Sequence, residues 1–196
     1  VQGYVGKSFG NARLKEALGA VPGVKTVNLD VQEVGDEKCD VISRFAPYWV
    51  GNRQAGAGAS IHTKKAGNVF IEGDYLVLDI KTPAYDSYVN VDYYAAGGGV
   101  VHMVPSPRVK GNQAPPRYAA TIGGLGNWVV SKPFGTDLIV LLVTPAPLFD
   151  GLRPESESTS DYLQAVESRL KQLTEKYGAE KISADFVQVT TRGRRS

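Results

Sequence analysis

The run Tyr88–Pro107, YVNVDYYAAGGGVVHMVPSP, constrains the fold of this chain more than any other stretch. It is β-branched and aromatic up to Tyr94, breaks at Gly97-Gly98-Gly99, and resumes as an apolar run closed by Pro-Ser-Pro. That pattern predicts one β-hairpin. Alternation sets Tyr88 and Tyr94 on the face opposite Val89, Val91 and Tyr93.

The hairpin belongs to a β-rich region. Strands are also expected at Ser60–Lys64, Tyr75–Lys81, Tyr118–Ile122, Trp128–Val130 and Thr136–Thr144, each bounded by Gly, Pro or Asn-rich turns. This is the spacing of a sandwich. Leu138–Val143 (LIVLLV) is apolar at every position, so it is expected to lie centrally and to be covered on both faces. Leu163, Val166, Leu170, Leu173 and Tyr177 make a helical stripe over 159–177. Ser158 and Asp161 have capping spacing before it, and Gly178 sits where a C-cap glycine belongs. Ile182–Thr191 reads as a last strand.

The first fifty residues have another character. Leu14, Ala17, Leu18 and Val21 form one helical face that Ser8 or Asn11 could cap, and Pro22-Gly23 ends it. Val27, Leu29 and Val31 then alternate as a half-buried strand, and a short helix is expected over Glu37–Phe45 before Pro47. The expected class is α+β. A small α/β module (1–50) and a glycine-rich linker (51–59) precede an antiparallel β-sandwich with one long C-terminal helix (60–191) and a basic tail (192–196).

The formal charge is +2 over 196 residues, and much of the excess sits at Arg192, Arg194 and Arg195. Without a basic–aromatic stripe elsewhere, the tail reads as a solvated linker stub and no nucleic-acid partner is expected. Cys39 is the only cysteine, which rules out an intramolecular disulfide. The longest apolar run is far short of the roughly 20 residues that span a bilayer. The chain opens without Met and without a signal-like start. We read it as a piece of a longer protein, with any export signal or membrane anchor outside it.

Catalytic material is scarce. His62 and His102 each stand alone in a predicted strand, with no ligand-spaced Cys, His or Asp beside them. Cys39 flanks Val41 and Ile42 and reads as a half-buried thiol rather than half of a dyad. Gly3-Tyr4-Val5-Gly6-Lys7-Ser8 imitates a phosphate-binding loop but has two residues where four are needed between its first glycine and Gly-Lys-Ser. Gly97–Gly99 and Gly123–Gly126 read as turns. Asp74, Asp79, Asp86 and Asp92 read as solvated strand ends, with convergence at one edge on a weak Ca²⁺ site as the sharper alternative. No catalytic residue, metal or cofactor is assigned. The candidate binding surface is Tyr85, Tyr88, Tyr94, Arg108 and Trp128. Of the aromatics, Tyr85 and Trp128 are expected to be the exposed ones, and Arg108 lies on a basic loop, Pro105–Arg117.

Three segments carry a family resemblance: GDYLVL (73–78), YVNVDYY (88–94) and GVVHMVP (99–105). With Pro133-Phe134-Gly135-Thr136 leading into LIVLLV, and Pro145–Phe149 after it, residues 68–191 resemble a bacterial domain of unknown function. That domain is found C-terminal to serine/threonine kinase domains and in caspase-like peptidase proteins. More weakly, Val1–Pro47 is similar to the BON modules of bacterial envelope proteins, through Arg13-Leu14 and Val21-Pro22-Gly23-Val24 before an alternating strand; a helix near Cys39 stands where that pattern has a strand. The resemblance implies a non-catalytic regulatory or partner-binding module beside an activity located elsewhere, on the envelope side rather than in the cytoplasm. A carbohydrate- or cell-wall-binding module using Tyr85 and Trp128 is the alternative, and an enzyme with an unrecognised site the second.

Overall fold

In the computed structural model, which describes residues 1–194, Gln-Gly-Tyr-Val-Gly forms strand β1 (Gln2–Gly6). Helix α1 (Gly10–Gly19) carries the chain to β2 (Asp30–Val34), which pairs with β1 in parallel. The α1 N-cap is Phe9 without a side-chain bond, rather than Ser8 or Asn11, and Val21 falls outside the helix and is exposed. The strand expected around Val27–Val31 starts only at Asp30, where β1 supplies hydrogen-bond partners.

Pro47 does not end the next helix. Helix α2 (Cys39–Gln54) runs through it and into the glycine-rich segment expected to be linker. Proline costs a helix interior one hydrogen bond and a steric clash, about 3 kcal/mol. The residues around it offset that cost. Phe45 is fully buried, Trp49 stacks on Phe186 at 6.4 Å, and Tyr48 shares a hydrogen bond with Thr174 at 3.2 Å. The chain forms two compact units, Val1–Arg44 and Phe45 onward, and their boundary falls inside α2.

The second unit continues with β3 (Ser60–Thr63), β4 (Val69–Ile71), β5 (Leu78–Lys81), β6 (Ser87–Tyr94), β7 (Gly99–Val104), β8 (Gln113–Ala114) and β9 (Ala119–Ile122). It ends with β10 (Thr136–Thr144), β11 (Ser156–Ser158), α3 (Thr159–Tyr177) and β12 (Ser183–Arg192). One sheet has the order β11-β7-β6-β10-β12-β4, with β8 also pairing β6; the other is β3-β5-β9. All these pairings are antiparallel except β12 with β4. The strand expected over Tyr75–Lys81 starts only at Leu78, and Tyr75 meets the segment 128–130, also expected as strand, in a single bridge to Val129.

β10 lies between β6 and β12, and Leu138–Val143 are all at most 1% exposed. Its odd residues Ile139, Leu141 and Val143 join Val89, Val91, Val187 and Val189 in one apolar core with Ile61, Leu78, Ile80 and Ile122 of the smaller sheet. Its even residues Leu138, Val140 and Leu142 stand opposite Tyr94, Asp92 and Asn90. On that face Tyr94 and Asp92 meet Tyr162 of α3. The α3 helix starts where capping chemistry places it, with Ser158 Oγ accepting from Asp161 N–H, and it ends on Gly178 at φ 88°.

Asn52 fastens the end of α2 to the sheet region. Its Nδ2 donates to the carbonyls of Ala59 (2.9 Å) and Ala184 (3.1 Å), and its Oδ1 accepts from Ala59 N–H (3.0 Å), all buried. Asn52→Ala strands these groups without partners and is expected to cost about 2–3 kcal/mol. A urea titration checks this; an unchanged midpoint contradicts it. The tail is not free as expected: Arg192 ends β12 and Arg194 Nε donates to Glu72 O, while Arg195 lies outside the described residues.

Candidate functional site

Of the five residues marked as a binding surface, the fold brings two together. Arg108 is exposed, and its guanidinium carbon lies 4.9 Å from the centroid of the Trp128 ring. The same guanidinium donates to Asn127 O (2.8 Å) and pairs with Glu155 (2.5 Å). Together they border a groove of about 660 Å³. Tyr93, Val101 and Met103, on the face of β6 and β7 turned to the smaller sheet, form its floor with Leu76 and Trp128. Its rim carries Arg108, Ser131, Lys132, Glu155 and Ser156. An apolar floor with a few polar groups at the rim is the common form of a ligand site.

Local chemistry builds the walls. Ser106, fully buried, accepts through Oγ from the amides of Arg108 and Val109, so the start of the basic loop is a hydrogen-bonded turn. Farther along, the expected irregular loop holds β8. Trp128 is clamped by Leu76 N–H donating to its carbonyl at 2.9 Å. Gly123 makes the turn before it at φ 80°, and a Cβ there would fall 2.1 Å from Leu76 O. Gly126, in the same turn, and Gly98, in the other glycine turn, also hold positive φ (76° and 86°).

The remaining three are placed elsewhere. Tyr94 is fully buried against Tyr162, so it belongs to the core and offers no surface. Tyr88 is half-buried at the start of β6. Tyr85, expected to be exposed, is half-buried and donates from its hydroxyl to Lys181 O at 2.9 Å. Trp128, also expected to be exposed, is 9% exposed. A cation already lies over one face of each ring, Lys181 on Tyr85 (5.0 Å) and Arg108 on Trp128 (4.9 Å).

The strongest electrostatic feature went unread in the sequence. Three adjacent strands each place one side chain on the helix-covered face: Asp92 from β6, His102 from β7 and Glu157 from β11. Asp92 and His102 are directly opposite partners, next to a register shift in the β6–β7 ladder. His102 bridges Asp92 Oδ1 through Nδ1 (2.6 Å) and Glu157 Oε1 through Nε2 (2.9 Å). Tyr162 donates to Asp92 Oδ2 (2.6 Å), and Arg153 grips Glu157 through Nε (2.7 Å) and a guanidinium nitrogen. Burial works against the imidazolium, but the hydrogen bonds and charges of Asp92 and then Glu157 outweigh it and raise the His102 pKa. Glu157 is lowered, mainly by the Arg153 hydrogen bond. With both ring nitrogens bound to carboxylates, His102 has no lone pair left to take a substrate proton.

The other candidate chemistries do not assemble. Asp74 is bound to Lys65 and Ile71 N–H, Asp79 to Thr121 and Lys64, and Asp92 lies in the histidine cluster. Among the described residues no group of three or more His, Cys, Asp or Glu could hold a metal ion. His62 is exposed on β3. Burial, then Asp36, Asp40 and Glu37, raises the Cys39 thiol pKa, which disfavours the nucleophilic thiolate. The turn that imitates a phosphate loop already holds carboxylates: Asp36 accepts from Ser8 N–H and Oγ–H, and Glu33 from Asn11 N–H. Among the described residues no helix is long and apolar enough to cross a membrane.

No family model matches the chain, and no match is found among curated proteins or solved structures.

Proposed function

We propose that the chain is a non-catalytic binding module of a larger bacterial protein, with the groove between Arg108, Trp128 and Glu155 as its ligand- or protein-binding surface. The observation that carries this reading is the groove itself: an apolar floor opened at the edge of the sheet, with Val129 52% and Tyr75 61% exposed beside it. Monomeric proteins rarely leave such side chains clustered in the open without use. The committed state of His102 and the protonated tendency of Cys39 support a binding rather than a chemical role.

On this reading the two sheets are the halves of a β-sandwich, and Val1–Arg44 is a small α/β module of BON-like kind. The resemblance to kinase- and caspase-associated domains makes the whole a regulatory or scaffolding part of a signalling or secretion-linked protein, on the envelope side. The cations over Tyr85 and Trp128 leave the carbohydrate reading second, because a sugar ring would have to displace Lys181 or Arg108 from the faces they occupy.

The test is a fragment screen by heteronuclear NMR, run with a broad panel of hydrolase substrates. Bound fragments are expected to shift the Trp128 indole and the amides of Val129–Lys132, and Arg108→Ala is expected to weaken them while changing stability by less than about 1 kcal/mol. Turnover of any substrate that one polar substitution abolishes overturns the reading. Hits confined to sugars at Trp128 place the carbohydrate module first.

A further inference from the structure

A second cleft, of about 210 Å³, opens between the β10–β11 connection and the face of β6 and β7 that carries Asp92 and His102. Val101 and Met103 line the Trp128 groove, whereas His102 lines this cleft. The two therefore lie on opposite faces of β7, and they share no lining residue. The inner end of the cleft is polar and closed to solvent: Asn90, Asp92, His102 and Tyr162 are each at most 3% exposed. Leu148, Phe149 and Leu152 give it an apolar side.

The charges inside the cleft are balanced except for one. Asp92 is the only carboxylate that lines it, and its two oxygens are taken by His102 and Tyr162. Glu157 holds the other nitrogen of His102 and the Arg153 guanidinium. Two carboxylates thus answer two cations, His102 and Arg153. Lys110 is the cation left over: it is exposed, lines the cleft, and has no carboxylate partner among the described residues. The inner end also holds an acceptor without a donor. Asn90 Nδ2 donates to the carbonyls of Leu142 (3.3 Å) and Tyr88 (3.5 Å), while Oδ1 has no donor among the described residues. A polar group buried this far ordinarily has a partner.

We propose that this cleft binds a small organic carboxylate with a neighbouring hydroxyl and an apolar body, the class of the aromatic 2-hydroxy acids. The carboxylate pairs with Lys110, the hydroxyl donates to Asn90 Oδ1, and the body packs on Leu148, Phe149 and Leu152. An amine would meet three cations, His102, Lys110 and Arg153, and no uncommitted carboxylate. The volume is below the roughly 300 Å³ at which drug-sized sites begin, which restricts the ligand to a small molecule. This site stands or falls independently of the Trp128 groove.

Mandelate, phenylacetate and mandelamide are the probes, titrated into the whole chain by calorimetry and followed by heteronuclear NMR. Phenylacetate lacks the hydroxyl and mandelamide lacks the charge. Mandelate is expected to bind tightest and to shift Asn90, Leu148 and Leu152 while leaving the Trp128 indole unmoved. Lys110→Met, at an exposed position, is expected to weaken mandelate about tenfold, or 1.4 kcal/mol, and to leave mandelamide unchanged. Absence of any shift at about 10 mM mandelate, ten times a Kd of about 1 mM, overturns the proposal. Equal affinity for phenylacetate or for mandelamide also overturns it, as do shifts confined to the Trp128 groove.

Discussion

Replacing His102 with Phe is expected to lower the unfolding free energy by about 3–5 kcal/mol, the usual result of removing one member of a buried ion pair. The cost arises from what remains. Among the described residues Asp92 keeps Tyr162 and Glu157 keeps Arg153, at side chains 3% and 12% exposed. The pH dependence distinguishes this cause from lost packing. The pKa of His102 is raised above 6.5 in the folded state, so its contribution is complete below pH 6.5 and is lost as pH rises through the raised value. Glu157 is lowered from 4.5, so its contribution is present above pH 4.5 and is lost as pH falls through the lowered value. Stability is expected to be greatest between those two pH values and to decline on the alkaline side, with the alkaline decline flattened in His102→Phe. Urea titrations of both proteins from pH 5 to pH 9 decide it; parallel curves would show that the imidazolium contributes nothing.

Leu141→Ala and Leu142→Ala are each expected to cost about 2–5 kcal/mol, since each deletes a fully buried side chain and leaves a cavity. The pair is the informative experiment. Leu141 points into the core shared with the smaller sheet, and Leu142, opposite Asn90 and Ala184, points to the helix-covered face. A sheet covered on one side only would make one of the two nearly neutral, within about 0.5 kcal/mol. Two comparable shifts in the urea midpoint, at unchanged slope, establish that both faces of β10 are packed. One small shift would assign solvent to that face.

The comparison of these two sites shows where local information stops. The centrality of Leu138–Val143 is written in its composition, because only a strand without a solvent face can be apolar at every position. The Asp92–His102–Glu157 chain is written nowhere locally. Asp92 and His102 lie five residues either side of Gly97, so the hairpin reading held the hint that they face each other. Glu157 comes from a three-residue strand with no apolar periodicity, and nothing in its neighbourhood marks it as a partner of His102. Tyr94 is a related case: alternation named its face but not what covers it.

By itself the sequence determined the elements whose causes are short-range. Strand β10 at Thr136–Thr144, helix α3 at Thr159–Tyr177 with its Ser158 cap, and the Tyr88–Val104 hairpin follow from hydrophobic period, capping and turn chemistry. The tertiary structure alone decided that α2 passes through Pro47, that Trp128 sinks beneath Arg108, and that three strands bring Asp92, His102 and Glu157 onto one face. The physical reason is common to all three. Each local preference is worth about 1–3 kcal/mol, and it yields wherever burial and paired charges supplied by residues distant in the chain contribute as much or more.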